Sequence, residues 1–173
     1  DGVLPYDDDF EKAAARRILE RRPDMVGFST FSCTYHHTLK IAREIAALSP
    51  DTIIVFGGPQ ATFCPEETVE SFPVDYVVRG EGEQTFPELL EALGAGRVPH
   101  DVPGLTFRHE GRTVRTPDRP LVPDLDALPL PAWDLLPNLA TEYRPPINVV
   151  NRFPVGYLVT SRGCYGRCVY CST

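Results

Sequence analysis

Short apolar runs that alternate with amphipathic stretches are the feature that most constrains the fold of this chain. Three such runs are Met25–Ser29, Ile53–Phe56 and Asp75–Arg79. They recur at a spacing of roughly 25 residues, which is typical of βαβ units with a parallel sheet. No internal sequence repeat underlies this regularity. The pattern therefore predicts an α/β domain built on a parallel sheet.

Helical periodicity fills the intervals between these runs. The predicted helices run from an N-cap at Asp9 to Pro23, from about His36 to Leu48, over about Pro65–Ser71, and from a capping box at Thr85 and Glu88 to Gly94. Three strands make a small sheet. We therefore expect one or two further strands ahead of Asp1 in a larger protein.

The composition excludes two kinds of partner. The net charge is −7 and no lysine- or arginine-rich patch stands out, which disfavours binding to nucleic acid. No apolar run approaches the roughly 18–20 residues that span a bilayer, so no membrane association is expected. The chain has five cysteines, an odd number. Three of them are clustered, which favours a reducing cytoplasm over a secreted disulfide framework.

The second half of the chain lacks the alternation of apolar runs and helical stretches. Leu105–Arg108 and Thr113–Thr116 flank a turn with Gly111, which predicts a β-hairpin. Prolines then crowd in from Pro117 to Pro146, a density that favours a semi-rigid, extended connection. A new strand is expected to begin at Val155. The predicted organisation is an α/β domain over 1–95, a hairpin and Pro-rich linker over 96–146, and a second domain that begins within 147–173.

Three loops follow the predicted strands, and ligands of open parallel sheets bind beyond the carboxyl ends of such strands. Thr30–Tyr35 is rich in hydroxyl groups, Gly57–Thr62 begins with two glycines, and Gly80–Gln84 combines two glycines with two acidic residues. Glycine lets the backbone come close to a bulky ligand. Taken singly, each loop is better explained by ordinary turn residues. All three are expected at one edge of the sheet.

A cluster of cysteines lies near the end of the chain. Cys164, Cys168 and Cys171 form a C-x3-C-x2-C pattern after an apolar run and a glycine-rich turn. A closed zinc site takes four protein ligands, whereas three thiolates on one loop suit a cubane cluster with one open iron. A zinc knuckle completed elsewhere, or three chance cysteines, are the alternatives.

The cysteine spacing resembles that of the radical S-adenosylmethionine (radical SAM) superfamily, and Tyr170 fits the aromatic residue that usually precedes the third cysteine. The resemblance implies a 4Fe–4S cluster held by Cys164, Cys168 and Cys171. The free iron of this cluster would bind S-adenosylmethionine, and reduction would release a 5′-deoxyadenosyl radical. The strand expected at Val155 would then be the first strand of a radical SAM partial TIM barrel.

The rest of the chain resembles the cobalamin-binding domain that precedes the cluster motif in one radical SAM class. The resemblance rests on Gly27–Ser29, Phe56–Pro59, Val77–Glu83, Pro103–Leu105 and Leu125–Pro129. It implies a flavodoxin-like (Rossmann-like) domain that holds cobalamin between its loops. The residues implied to bind the cofactor are Ser29, Thr30, Phe31, Ser32, Thr34, Tyr35, Gly57, Gly58, Pro59, Gln60, Gly80, Glu81, Gly82 and Glu83.

The chain departs from many cobalamin proteins at the cobalt ligand. It has no Asp-x-His-x-x-Gly motif, a motif that this radical class typically lacks. His36 and His37 are adjacent and are the weak candidates for a cobalt ligand. Cys33 and Cys64 are expected to be packing residues. The alternative for these cysteines is a second cluster, as in methylthiotransferases, which place three cysteines in the first domain.

The resemblance implies an N-terminal fragment of a methyltransferase that uses methylcobalamin and the 5′-deoxyadenosyl radical to methylate an unactivated carbon. The fragment alone is expected to be inactive. The implied partners are a small-molecule or peptide substrate and an electron donor such as a flavodoxin or ferredoxin. The alternatives are a methylthiotransferase-like enzyme, and a flavodoxin-like module that binds a nucleotide or flavin without radical chemistry. Ring-forming chemistry on the same scaffold is also open, because fold does not fix reaction.

Overall fold

A computed structural model of the chain describes residues 9–136 and 161–164, together with Gly166 and Val169. The chain divides into two compact units, Asp1–Leu121 and Val122–Thr173. The strands of the first unit are β1 Met25–Ser29, β2 Ile53–Gly57, β3 Tyr76–Val78, β4 Leu105–His109 and β5 Arg112–Arg115. Its helices are α1 Phe10–Leu19, α2 Tyr35–Leu48, α3 Pro59–Phe63, α4 Pro65–Ser71 and α5 Gly82–Gly94.

The five strands form one mixed sheet in the order β1-β2-β3-β4-β5. The first three strands are parallel, as the sequence predicts, and this confirms the α/β class. The predicted hairpin is present as β4 and β5, with β4 antiparallel to β3. The sequence predicts this hairpin within the segment that links the two domains. The structure differs, because Val78 pairs with Leu105 and the hairpin thereby joins the sheet of the α/β domain.

Each face of the sheet has its own core. In β2, Ile54 and Phe56 point to a first face covered by α1, α2 and α4, whereas Val55 points to the second face, where α5 packs. The strands are thus apolar on both faces, as expected of parallel strands between helices. On the second face, Gly27 and Ser29 of β1 are exposed. The β1 end of this face is therefore accessible.

The starts of the helices differ in part from the predictions. Thr85 and Glu88 do not cap α5, which begins at Gly82 because Gly80 adopts a φ of 68° and turns the chain early. The short helix α3 was not predicted. Pro59 is its first residue, a position where the backbone N–H makes no hydrogen bond within the helix, so proline is tolerated there. Asp9 occupies the predicted N-cap position of α1, but its side chain makes no capping hydrogen bond and accepts one from Lys12.

The described part of the second unit contains two short 3-10 turns, Leu125–Ala127 and Trp133–Leu135. The carboxylate of Asp124 begins the first turn by accepting a hydrogen bond from the backbone of Asp126 at 3.0 Å. The strand predicted from Val155 lies outside the described residues. Nowhere in the described part of the chain is a helix long and apolar enough to cross a membrane.

The contact between α1 and α2 predicts an acid-sensitive stability. Glu11 accepts hydrogen bonds from His37 at 2.8 Å and from Lys40 at 3.3 Å. The hydrogen bond from His37 is the main cause that lowers the pKa of Glu11 from 4.5 to about 2. The resulting stabilisation is complete above pH 4.5 and is lost as the pH falls towards about 2. Chemical unfolding should therefore show Glu11→Gln less stable than wild type above pH 4.5.

This difference should be nearly gone at about pH 2, where Glu11 is half protonated in the folded chain. Glu20→Gln, at the other end of α1, is the control and should follow wild type at both pH values. If Glu11→Gln is less stable than wild type by the same amount at both pH values, the stabilisation by Glu11 is not electrostatic.

Candidate cofactor site

A groove opens on the second face of the sheet at the carboxyl ends of β1, β2 and β3. Its volume is about 480 Å³. Ligand pockets of proteins range from about 300 to 1,000 Å³, so the groove can hold a substantial part of a bulky ligand. It is lined by Gly27, Phe28, Ser29, Val55, Phe56, Gly57, Gly58, Val78, Gly80, Gly82, Glu83 and Phe86.

The floor of the groove is built from small residues that share one face of β1 and β2. Gly27 pairs with Val55 and Ser29 pairs with Gly57, so these residues lie side by side. A Cβ atom added at Gly27 would meet no heavy atom within 4 Å. Phe86 of α5 contributes an aromatic ring to the lining. A low floor with apolar surroundings fits a large, flat ligand such as a corrin, because no side chain stands in its way.

The loop after β2 is held against the loop after β1 by Thr30. This residue is fully buried. Its hydroxyl donates to the carbonyl of Gly57 at 2.7 Å and accepts from the amide of Ala61 at 3.1 Å. Its backbone nitrogen also donates to the same Gly57 carbonyl, at 2.8 Å. Thr30 therefore fixes the shape of the groove rim.

Gly58 is required by this arrangement, and we expect Gly58→Ala to destabilise the fold by about 2–4 kcal/mol. Gly58 has a φ of 86°, and a Cβ there would lie 2.8 Å from both the backbone nitrogen and the oxygen of Thr30. The clash is with backbone, which cannot rotate away. Urea unfolding measures the effect.

Gly96→Ala is the matched control, because Gly96 has a φ of 67° but open space around its Cβ position. It should show the conformational strain alone, about 1–2 kcal/mol. Equal losses in the two variants would show that the contact with Thr30 contributes nothing.

Six of the predicted cofactor-binding residues line the groove. They are Ser29, Gly57, Gly58, Gly80, Gly82 and Glu83. The structure thus brings together residues of the second and third predicted loops with Ser29, the last residue of β1. Glu81, also predicted, occupies the N-cap position of α5 beside them.

The other predicted residues are not part of the groove lining. Tyr35 packs on the first face, where its hydroxyl lies 2.7 Å from that of Thr68 and burial raises its pKa. Ser32 donates to the side chain of Gln60 at 2.7 Å, and Thr34 donates to the carbonyl of Phe31. The ring of Phe31 is 52% exposed. Pro59 begins α3. Thr30 and Tyr35 therefore have structural roles.

The sequence prediction missed the residues that approach the groove from the strands and from α5. These are Gly27, Phe28, Val55, Phe56, Val78 and Phe86. One signal was available, because a glycine inside a strand marks a place where a ligand or another backbone comes close. Gly27 is such a residue. The others look like ordinary core residues in the sequence.

Only the first cysteine of the C-x3-C-x2-C pattern lies within the described residues. Cys164 is exposed, and its sulfur accepts a hydrogen bond from the backbone nitrogen of Gly166 at 3.3 Å. Cys168 and Cys171 lie outside the described residues. The placement of the three ligands stays a prediction.

The remaining metal-ligand candidates do not gather at the groove. His37 is engaged with Glu11, and neither His36 nor His37 is among the groove residues. Cys33 is exposed, and Cys64 is half-buried with its sulfur 3.9 Å from the amide nitrogen of Gln60. Among the residues that the structure describes, no group of three histidine, cysteine or acidic side chains could hold a metal ion.

A parallel sheet with an accessible groove at the carboxyl ends of its strands defines a cofactor-binding α/β domain. The particular family follows from comparison with known proteins. The model of the B12 binding domain matches residues 4–90, half of the chain, and the chain belongs to this family.

Curated relatives extend the similarity over nearly the whole chain. An uncharacterized methyltransferase of Pyrococcus horikoshii is 37% identical over 160 residues, which cover 92% of this chain and 33% of the relative. The anaerobic magnesium-protoporphyrin IX monomethyl ester cyclase of Rubrivivax gelatinosus is 32% identical, over 94% of this chain and 29% of the cyclase. The chain spans about a third of the length of these relatives.

A solved structure gives the same result. The radical S-adenosylmethionine methyltransferase TsrM of Kitasatospora setae, with cobalamin and a [4Fe-4S] cluster bound, superposes with a TM-score of 0.54. It is 29% identical to this chain, and the match covers 66% of this chain and 22% of TsrM. The predicted membership of the cobalamin-binding radical SAM family, and the flavodoxin-like fold class, are thereby confirmed.

Proposed function

We propose that this chain is the cobalamin-holding and cluster-bearing part of a radical SAM methyltransferase. The observation that carries the proposal is the groove with its glycine floor, on the same chain as the C-x3-C-x2-C pattern. The family match, and the similarity to named methyltransferases, support this assignment. The substrate would be a small molecule or a peptide.

Each part of the site has a distinct task in this proposal. Gly27, Ser29 and Gly57 would form the surface on which cobalamin lies, and Thr30 would keep the rim in shape through its bonds to Gly57 and Ala61. Cys164, Cys168 and Cys171 would hold a 4Fe–4S cluster. Together with S-adenosylmethionine, these cofactors supply radical generation and methyl transfer when bound.

Two further proposals concern the surroundings of the enzyme. A 4Fe–4S cluster that must be reduced needs an electron donor, for which a flavodoxin or a ferredoxin is suitable. Free thiolates on an exposed loop persist in a reducing compartment, so we place the protein in the cytoplasm. Cys164 is such an exposed thiol.

The proposed function is tested on the protein in its full length, purified and reconstituted without oxygen. With a reductant and S-adenosylmethionine, we expect release of 5′-deoxyadenosine, and cobalamin should stay bound during gel filtration. Chromatography measures the released 5′-deoxyadenosine, and the visible corrin spectrum measures the bound cobalamin. Intact S-adenosylmethionine in a sample that holds about four irons per chain would contradict radical chemistry.

Ring-forming chemistry is the second candidate, and the similarity to the magnesium-protoporphyrin IX monomethyl ester cyclase favours it. The two candidates differ in the fate of S-adenosylmethionine. A methyltransferase transfers a labelled methyl group from S-adenosylmethionine to its substrate. A cyclase releases 5′-deoxyadenosine without transferring the label.

A further inference from the structure

The residues that lead from the hairpin into the Pro-rich segment are bonded to both ends of the groove loop. We define the groove loop as residues 80–83, which comprise the turn after β3 and the first two residues of α5 and contribute Gly80, Gly82 and Glu83 to the groove. Arg79 precedes this loop, and Gln84 and Thr85 follow it. Residues 117–119 are connected to both of these positions.

Arg79 makes the first connection. Its side chain is only 4% exposed, and one terminal nitrogen of its guanidinium is paired with the carboxylate of Asp118. The other terminal nitrogen donates to the carbonyl oxygens of Thr116, at 2.5 Å, and of Leu105, at 3.2 Å. The hydrogen bond from Arg79 is the main cause that lowers the pKa of Asp118. The start of the groove loop is thus fixed to residues 116–118.

Backbone hydrogen bonds reinforce this connection. The amide of Arg79 donates to the carbonyl oxygen of Gly104 at 2.8 Å. The amide of Gly104 donates to the carbonyl oxygen of Pro117 at 2.8 Å. Gly104 also lies against Thr85, since a Cβ at this position would be 2.8 Å from the Thr85 hydroxyl. Arg79, Gly104 and Pro117 are therefore one connected unit.

Arg119 makes the second connection. Its side chain is 12% exposed and its Nε donates to the hydroxyl of Thr85 at 2.8 Å. A terminal nitrogen donates to the side-chain oxygen of Gln84 at 3.2 Å, and the other is paired with Glu88. The Thr85 hydroxyl in turn donates to the carbonyl of Pro103 at 3.1 Å. The end of the groove loop is thus fixed to residue 119.

We propose that Arg79 and Arg119 are positioning residues that couple ligand binding in the groove to the placement of residues 117–119, where the segment towards the cysteine motif begins. Only four residues lie between the two anchored ends of the groove loop. A ligand that orders this loop therefore acts on both anchors. Coupling is reciprocal, so weakening an anchor must also weaken binding in the groove. The identity of the ligand, cobalamin, rests on the proposed function.

Arg119→Ala tests the coupling, because Arg119 is not as deeply buried as Arg79. We expect the affinity for hydroxocobalamin, measured by absorbance titration of the chain, to fall by about five- to tenfold. In hydrogen exchange, cobalamin should slow the amides of Thr116, Asp118 and Arg119 in the wild type. In the variant the cobalamin-dependent slowing at position 119 should be lost, while the slowing at Thr116 and Asp118, which Arg79 anchors, should remain. A purely structural role would not predict this selective change.

Two further variants keep the test decisive. Gln84→Ala removes one bond of Arg119, leaves the Arg119 side chain intact, and should show a smaller loss in the same direction. Arg97→Ala removes an exposed ion pair with Asp101 and is the matched control, which should bind like wild type. Unchanged affinity and unchanged slowing in a folded Arg119→Ala would overturn the coupling.

Exchange in the ligand-free chain separates this proposal from the proposed function. Arg119→Ala should speed exchange at residues 80–83 as well as at 118 and 119. Faster exchange confined to 118 and 119 would overturn the coupling even if cobalamin binds. If the wild type binds no cobalamin but exchange at 80–83 rises in the variant, the coupling is supported and the proposed function fails.

Discussion

Gly27→Leu is expected to lower the affinity of the chain for cobalamin by at least about 100-fold, which corresponds to about 2.7 kcal/mol. The position of the Gly27 Cβ is open, with no heavy atom within 4 Å, so the fold can accept a larger side chain. The leucine would stand on the groove floor beside Val55, the partner of Gly27 in β2, where the ligand is expected to lie. Absorbance titration with hydroxocobalamin measures the loss.

The control for this variant is Gly94→Leu, the same substitution at another glycine with open space around its Cβ position. Gly94 is exposed at the end of α5 and is not part of the groove. Both variants should unfold at a similar urea concentration. If Gly27→Leu binds cobalamin as tightly as Gly94→Leu, the ligand does not use this floor.

Replacing Cys164, Cys168 and Cys171 by alanine should abolish iron binding in the full-length protein, from about four irons per chain to none. The three thiolates are the only protein ligands that the resemblance implies for the cluster. Cobalamin binding should persist, because the groove lies within the first unit, which ends at Leu121. Iron and sulfide analysis after anaerobic reconstitution, together with the corrin spectrum, measures both effects.

Cys33→Ala and Cys64→Ala are the controls for the triple variant. The structure places neither in a group of three metal ligands among the described residues, so each should keep its iron. Loss of iron in either control would support the alternative of a second cluster, as in methylthiotransferases. Zinc in place of iron in the wild type would contradict the radical SAM assignment.

The fold could be predicted from the sequence where a regular pattern decides the structure. The alternation of apolar runs and helical periods predicted β1, β2 and β3 and their parallel order, which the structure confirms. It did not predict that β4 pairs with β3, because β4 runs antiparallel to β3 and so falls outside the repeating βαβ pattern. Periodicity carries local information, and such pairing depends on tertiary packing.

Helix starts show the same limit. Thr85 and Glu88 match a capping box in sequence, but both side chains bond to Arg119, and Thr85 also bonds to Pro103. The partner lies more than 30 residues away, so no local pattern could reveal it. Gly80, with its positive φ, sets the actual start of α5.

The candidate site was predictable in part for the same reason. Loop glycines such as Gly58 and Gly80 are visible in the sequence because they follow apolar runs. Thr30 and Tyr35 are polar loop residues too, yet the structure uses them for internal hydrogen bonds to Gly57 and Thr68. Whether a hydroxyl faces the ligand or the core is decided by packing.

Titration of this chain with hydroxocobalamin is the most direct measurement of the central claim, that the groove holds cobalamin. We expect a saturable change in the corrin spectrum with one cobalamin per chain, which Gly27→Leu weakens at least about 100-fold and Gly94→Leu preserves. Circular dichroism confirms that each sample is folded. A folded wild-type chain that leaves the corrin spectrum unchanged, and that retains no cobalamin on gel filtration, would show that the groove does not hold cobalamin.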